Sequence, residues 1–225
     1  MQEDGGWREV SQGVNLYEKL LSIVGMDVVE IFGPSGSGKS TFAYMVALDA
    51  LKLGKRVFFL DAERNLNLEK VPEGLDYRYT PDYNMILNIA RNLPPADLYV
   101  LDSLGMSVLP MYAEAPVDKR GLMLLKAISL MEYFKLATYR NKALAIITNQ
   151  PVSSFGKQAP EDELRPWGDK AIYMTKEVWR TFLVGSKENE TTCEIRSWRS
   201  RRFGRGRLLF KLTITDKGVS VEPQV

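Results

Sequence analysis

The sequence predicts an α/β fold: a mostly parallel central sheet flanked by helices, with an antiparallel extension at its C-terminal side. Three observations carry this expectation. Four runs at residues 28–32 (VVEIF), 57–60 (VFFL), 98–101 (LYVL) and 143–148 (ALAIIT) are strand-length and almost wholly apolar, as strands buried on both faces are. Stretches of helical periodicity separate them, and strands alternating with helices favour parallel pairing. From about residue 170 the pattern changes to strands and turns in close succession, with no helical periods between them.

Taken in order, residues 1–13 read as a flexible N-terminal arm and residues 14–225 as one domain, because 225 residues are short for two full domains. Residues 15–24 form a short helix with Leu16, Leu20, Leu21 and Val24 on one face. The strand at 28–32 runs directly into a glycine-rich loop. Residues 39–53 then form a helix closed by Gly54. The strand at 57–60 ends at Asp61-Ala62-Glu63. A helix at 83–92 is broken by Pro94-Pro95. The strand at 98–101 ends at Asp102, a loop is expected over 106–119, and a long amphipathic helix over 121–139. The strand at 143–148 ends at Asn149-Gln150. Segments 170–185, 192–198, 207–215 and 218–222 complete the sheet as antiparallel strands and turns.

Composition narrows the chemistry. The chain has no histidine and one cysteine, Cys193, so an intrachain disulfide is excluded and hydrolysis must run through carboxylates and a divalent metal. The net charge of +2 points to no partner by itself. The N-terminus is polar and mixed in charge, unlike a signal peptide, and the apolar runs are far too short to span a bilayer. The expected location is cytoplasmic.

The motif with the most chemical content is GPSGSGKS, from Gly33 to Ser40. Gly33, Gly36 and Gly38 let the backbone wrap a phosphate with its N–H groups inward, and Pro34, Ser35, Ser37 and Thr41 complete the cradle. Lys39 brings positive charge to the β- and γ-phosphates, the Ser40 hydroxyl is an Mg²⁺ ligand, and the following helix aims its positive end at the anion. ATP and Mg²⁺ are therefore the expected ligands. Asp102, at a strand end, suits a second metal contact; alone it would read equally as a turn cap. Glu63 follows another strand and is the candidate that orients or deprotonates water, with Asp61 the alternative. Gln150 can contact the γ-phosphate through its amide. A separate cluster, Arg196, Arg199, Arg201, Arg202, Arg205 and Arg207, has Trp198 and Phe203 interleaved and no acid between. It suits single-stranded nucleic acid, an arginine reaching a neighbouring subunit's nucleotide, or a solvated hairpin.

These segments together resemble the RecA/RadA recombinase superfamily, in particular its short archaeal RadA paralogues of the RadB type. VVEIFGPSGSGKST resembles the family's first strand and phosphate loop, VFFLDAERN the strand bearing its catalytic glutamate at Glu63, and LYVLDSLG the strand bearing its metal-site aspartate at Asp102. KRGLMLLKAISLMEYFKLATYRNKALAIITNQP resembles the helix and strand between its two DNA loops, and FKLTITDKGVSVE a closing strand pair. The resemblance implies a RecA-like P-loop ATPase core and Gln150 as γ-phosphate sensor. It implies a first DNA loop over 106–120, with Lys119 and Arg120, and a second over 151–167, with Lys157 and Arg165. Arg199 and Arg201 fall nearest a Lys-x-Arg pair that acts across subunits in KaiC-type relatives. Only 32 residues precede Gly33 and none forms the Phe-x-x-Ala polymerisation motif, which points to an accessory role. The expected activity is slow, Mg²⁺-dependent ATP hydrolysis. The expected partners are single-stranded DNA and the main RadA-type recombinase or other repair proteins, with a homo-oligomer as a further option. The alternative is a nucleotide-gated, KaiC-like regulatory module with little catalysis; a small-molecule kinase ranks below both, for want of an arginine-bearing lid in the usual place.

Overall fold

The structure, a computed structural model, describes residues 13–65, 71–152, 164–168 and 174–225. Its centre is a nine-stranded sheet in the order β11-β10-β9-β8-β1-β5-β4-β2-β3. The strands are β1 (Val28–Phe32), β2 (Val57–Asp61), β3 (Leu75–Tyr79), β4 (Leu98–Asp102), β5 (Leu144–Asn149), β8 (Glu177–Lys187), β9 (Glu190–Arg199), β10 (Leu208–Thr215) and β11 (Gly218–Pro223). All pairings from β8 through β1, β5, β4 and β2 to β3 are parallel. Those from β8 to β11 are antiparallel. Two short strands, β6 (Pro151–Val152) and β7 (Arg165–Pro166), form a separate antiparallel ladder.

Burial explains the parallel half. β1, β2, β4 and β5 are buried along their whole length, so their apolar runs face helices on both sides. On one face lie α1 (Leu16–Val24) and α2 (Lys39–Lys52), which pack Leu20, Phe42 and Val46 against Val29, Ile31 and Phe59. On the other lie α3 (Tyr83–Arg91), α4 (Leu104–Glu114) and α5 (Arg120–Asn141), which pack Ile86, Val108, Leu130 and Phe134 against Phe58, Leu60, Tyr99 and Ile147. The antiparallel strands share the first of these cores: Trp179 and Phe210 meet at 5.7 Å, and Phe42 lies 4.9 Å from Phe210. Helix starts follow their caps. Asn15, Asp82 and Ser103 each accept a bond from a backbone N–H three residues on, opening α1, α3 and α4.

Two expectations need correction. Residues 106–119 are not a loop: α4 occupies 104–114 and a short 3-10 turn follows at Val117–Lys119. The Ser103 cap and the burial of Leu104, Ser107 and Val108 outweigh Pro110, which sits inside the helix. The second is an omission. β3 was not anticipated, although LDYRY alternates as a half-exposed edge strand does. Among the described residues no helix is long and apolar enough to cross a membrane.

Candidate functional site

Because β1, β5, β4 and β2 are adjacent and parallel, the residues that follow them emerge along one edge of the sheet, where α/β folds place ligands. The phosphate loop follows β1. Gly36 and Gly38 have φ of +75° and +83°, which a side chain would strain. Gly33 is fixed by crowding instead: a Cβ there would lie 2.1 Å from Thr181 Oγ1 and 2.7 Å from Thr181 O. Ser37 braces the loop by donating to Pro34 O at 2.7 Å. Lys39 is 7% exposed and donates to Gly33 O at 2.9 Å and Pro34 O at 2.8 Å. Burial lowers its pKa, opposed by the negative charge of Asp102 and Glu63.

Asp102, 1% exposed, is the centre of a polar knot. Its Oδ1 accepts from Ser40 Oγ at 3.0 Å and from Thr148 Oγ1, and its Oδ2 accepts from Asn65 Nδ2 at 2.9 Å. Burial raises its pKa, while the three hydrogen bonds favour the carboxylate. Glu63 is half-buried. Its Oε1 accepts from Ser103 Oγ and lies 3.5 Å from Gln150 Nε2. The strand ends thus bring Ser40, Glu63, Asp102 and Gln150 together beside Lys39. Asp61 is set apart. It is fully buried, accepts from the N–H groups of Glu63 and Arg64 at 2.8 Å each, and accepts from Tyr77 Oη at 2.8 Å. That carboxylate shapes the turn and presents Glu63.

The donor set fits Mg²⁺. Ser40 Oγ, at the start of α2, and Asp102, at the end of β4, are hard oxygen donors 3.0 Å apart, and Mg²⁺ prefers one or two protein oxygens together with phosphates and water. Among the described residues no cluster of three His, Cys, Asp or Glu side chains offers an all-protein cage.

The basic residues divide. Arg199 donates to Thr175 O and Arg202 to Ser22 O, so both guanidinium groups are tied to the body. Arg196 forms an ion pair with Glu194 at 2.6 Å. Arg201, whose backbone N–H bonds Glu177, and Arg205 are exposed. Arg205 lies over the Trp198 ring at 5.2 Å. The sequence reading missed Arg180 and Phe182. Arg180 is buried, stacks on Phe182 at 4.4 Å and pairs in register with Arg196. These residues, with Ser197, Trp198, Arg205 and Gly206, line a cleft of about 590 Å³. The available signal was an arginine set among the large apolar residues Val178, Trp179 and Phe182. Lys119 is exposed after α4, and Arg120 lies 5.4 Å over Tyr112. Arg165 pairs with Val152 at the base of the second expected DNA loop; Lys157 lies outside the described residues.

Fold and strand-end arrangement define the class: a RecA-like α/β core with a complete phosphate loop. No protein-family model matches the chain. An alignment of 156 residues, covering 63% of the chain, is 31% identical to Protein RecA of Aquifex pyrophilus and covers 44% of that protein. A stretch of 36 residues, 16% of the chain, is 53% identical to the DNA repair and recombination protein RadB of Thermoplasma volcanium and covers 15% of it. The matched region thus spans less than half of these relatives. A crystal structure of the RadB recombinase superposes with a TM-score of 0.64 at 18% identity, over 94% of this chain and 97% of that one, a likeness of fold. The chain is thus similar in sequence to RecA over 63% of its length and to RadB over a short stretch, and it shares the fold of the RadB recombinase.

Proposed function

We propose that the protein binds and slowly hydrolyses ATP, binds single-stranded DNA, and assists homologous recombination or DNA repair. The observation that carries this reading is the convergence of Ser40, Asp102, Glu63 and Gln150 beside Lys39. Relatives named RecA and RadB favour the recombination role over a KaiC-like one.

Bound Mg²⁺ would neutralise phosphate charge, held through Ser40 and Asp102. The N–H groups of residues 33–41 would cradle the phosphates. Lys39 would turn from the carbonyls of Gly33 and Pro34 toward the β- and γ-phosphates, since its ammonium is already within the loop. Glu63 would accept a bond from the attacking water and orient it, its position set by Ser103 and by the Asp61 turn. Gln150 lies between Glu63 and β6. Its backbone carbonyl accepts from Trp167 N–H at 2.8 Å, so a phosphate contact at its amide would be felt at Trp167, just past β7. Single-stranded DNA would use the exposed guanidinium groups beside Trp198. A partner recombinase or a second copy of the chain would complete the charge around the γ-phosphate.

The deciding experiment measures nucleotide binding and phosphate release with and without single-stranded DNA, for the wild type and Lys39→Ala. Loss of nucleotide binding or turnover in the variant is expected. Unchanged ATPase would refute the proposed mechanism.

A further inference from the structure

Asn65 has no part in the scheme above, yet its side chain lies at its centre. The Nδ2 atom is 2.9 Å from Asp102 Oδ2, 3.3 Å from Ser40 Oγ and 3.4 Å from Glu63 Oε2. Three oxygens that would surround a cation and its waters thus face one amide nitrogen. The backbone is shaped to bring it there. Asp61 clamps the N–H groups of Glu63 and Arg64 at 2.8 Å, and Arg64 takes φ of +60°, a left-handed conformation uncommon outside glycine. The chain thereby doubles back and aims Asn65 at Asp102.

The chemistry also fixes which end of the amide points inward. The Ser40 hydroxyl spends its proton on Asp102 Oδ1 at 3.0 Å, so it offers only lone pairs to Asn65. Asp102 and Glu63, when ionised, offer nothing else. A carbonyl oxygen turned into this place would face three acceptors, whereas the NH₂ group satisfies them. With two N–H bonds for three acceptors, the amide sits there as a patch of positive charge shared among oxygens.

We propose that Asn65 guards the cation position: its amide stands in for Mg²⁺ against Ser40, Asp102 and Glu63, and Mg²⁺ must displace it to bind. This inference rests on the Mg²⁺–nucleotide reading of the site. Mg²⁺ draws its oxygens to about 2.0–2.1 Å. The amide hydrogens, aimed at the same oxygens, would face the cation, so the two occupants exclude one another. The apparent Mg²⁺ affinity is then reduced by the ratio of guarded to open states. The guard gives the site a threshold: Mg²⁺ is retained when phosphate oxygens add their pull. It also holds the carboxylates of Asp102 and Glu63 in place before the cation arrives.

The test uses the full chain as wild type, Asn65→Ala and Asn65→Ser, both changes at an exposed position. A fluorescent ADP analogue is titrated with MgCl₂ and, separately, bound in EDTA. The readout is the free Mg²⁺ giving half-maximal retention of the analogue. Both variants should need about ten-fold less Mg²⁺, the worth of a hydrogen bond to a charged group. Their binding in EDTA should move by less than about two-fold. An unchanged requirement would overturn the guard and leave the nucleotide site standing. A higher requirement would also overturn it, making Asn65 a positioning residue for the cation. A wild type whose analogue binding ignores Mg²⁺ would overturn both the guard and the metal site beneath it.

Discussion

Replacing Glu30 with glutamine should remove a large share of this protein's loss of stability toward alkaline pH. Glu30 sits in β1, three residues ahead of Gly33, and is 1% exposed. Its Oε1 accepts from Asn149 Nδ2 at 2.7 Å, and its Oε2 has no hydrogen-bond partner among the described residues. Burial pushes its pKa from 4.5 up to about 7; the Asn149 bond and the charge of Arg199 pull the other way and lose. A carboxyl raised on folding holds its proton more tightly in the native state than in the unfolded chain. Its contribution is therefore most favourable below pH 4.5 and is lost as pH climbs to about 7, above which both states are ionised. At about 1.4 kcal/mol per pH unit, that interval amounts to about 3 kcal/mol. Glutamine has nearly the same shape and does not titrate. Its second N–H group carries its own burial cost, equal at every pH, so the informative quantity is the change between pH 5 and pH 8. Urea denaturation at both should show the wild type losing about 3 kcal/mol more than Glu30→Gln. A scan of melting temperature should show a gap between the two proteins that shifts by about 6–12 °C across the same range. Parallel pH profiles for the two proteins would refute the reasoning, because they would mean that Glu30 is ionised as readily in the native state as in the unfolded chain.

Other perturbations test separate parts of the site. Gly33→Ala should destabilise the fold by about 1–3 kcal/mol by driving a methyl group into Thr181, and Thr181→Ala should restore only part of it because the Thr181 carbonyl also blocks the space; urea midpoints that match the wild type would contradict this. Asp61→Ala leaves two backbone N–H groups and Tyr77 Oη without their acceptor, so a loss of about 3 kcal/mol is expected by chemical denaturation. Ser103→Ala frees Glu63, and should lower phosphate release about ten-fold with nucleotide affinity little changed, while Ser103→Thr keeps activity; equal turnover in all three proteins would remove Ser103 from the mechanism. For DNA, about four phosphate contacts give a log–log salt slope near −3 for single strands, and Arg201→Ala with Arg205→Ala should flatten it by about 1.4. A slope near zero in the wild type would return the cluster to a solvated hairpin or a subunit contact.

The phosphate loop and the strands beside it were legible because their signals are local. A run such as VVEIF followed by GPSGSGKS needs no partner to be read, and the alternation of strands with helices put Glu63, Asp102 and Gln150 along one sheet edge. What escaped depends on residues distant in sequence. β3 is held at the edge by pairing with β2, and its half-exposed pattern is weak alone. In α4 the glycine and proline that signal a loop are outweighed by a cap and by burial against α5 and β5. The cleft around Arg180 arises from the register of β8 against β9, including the irregularity at Val178 and Trp179, which no reading of either strand alone supplies. Asn65 gains meaning from two segments far along the chain, at Ser40 and at Asp102.

The contact between Gly33 and Thr181 also bears on how the two halves of the sheet behave. Ser37 Oγ lies 2.5 Å from Thr181 Oγ1, and Thr181 Oγ1 donates to Phe32 O at 3.4 Å, so β8 is bolted to both ends of the phosphate loop's first turn. β8 is paired along its length with β9, which bears Arg196, Trp198 and Arg199. A loop that tightens around a phosphate therefore has no slack on this side. The phosphate loop and that surface are thus joined through a single strand, with Thr181 as the residue at the junction.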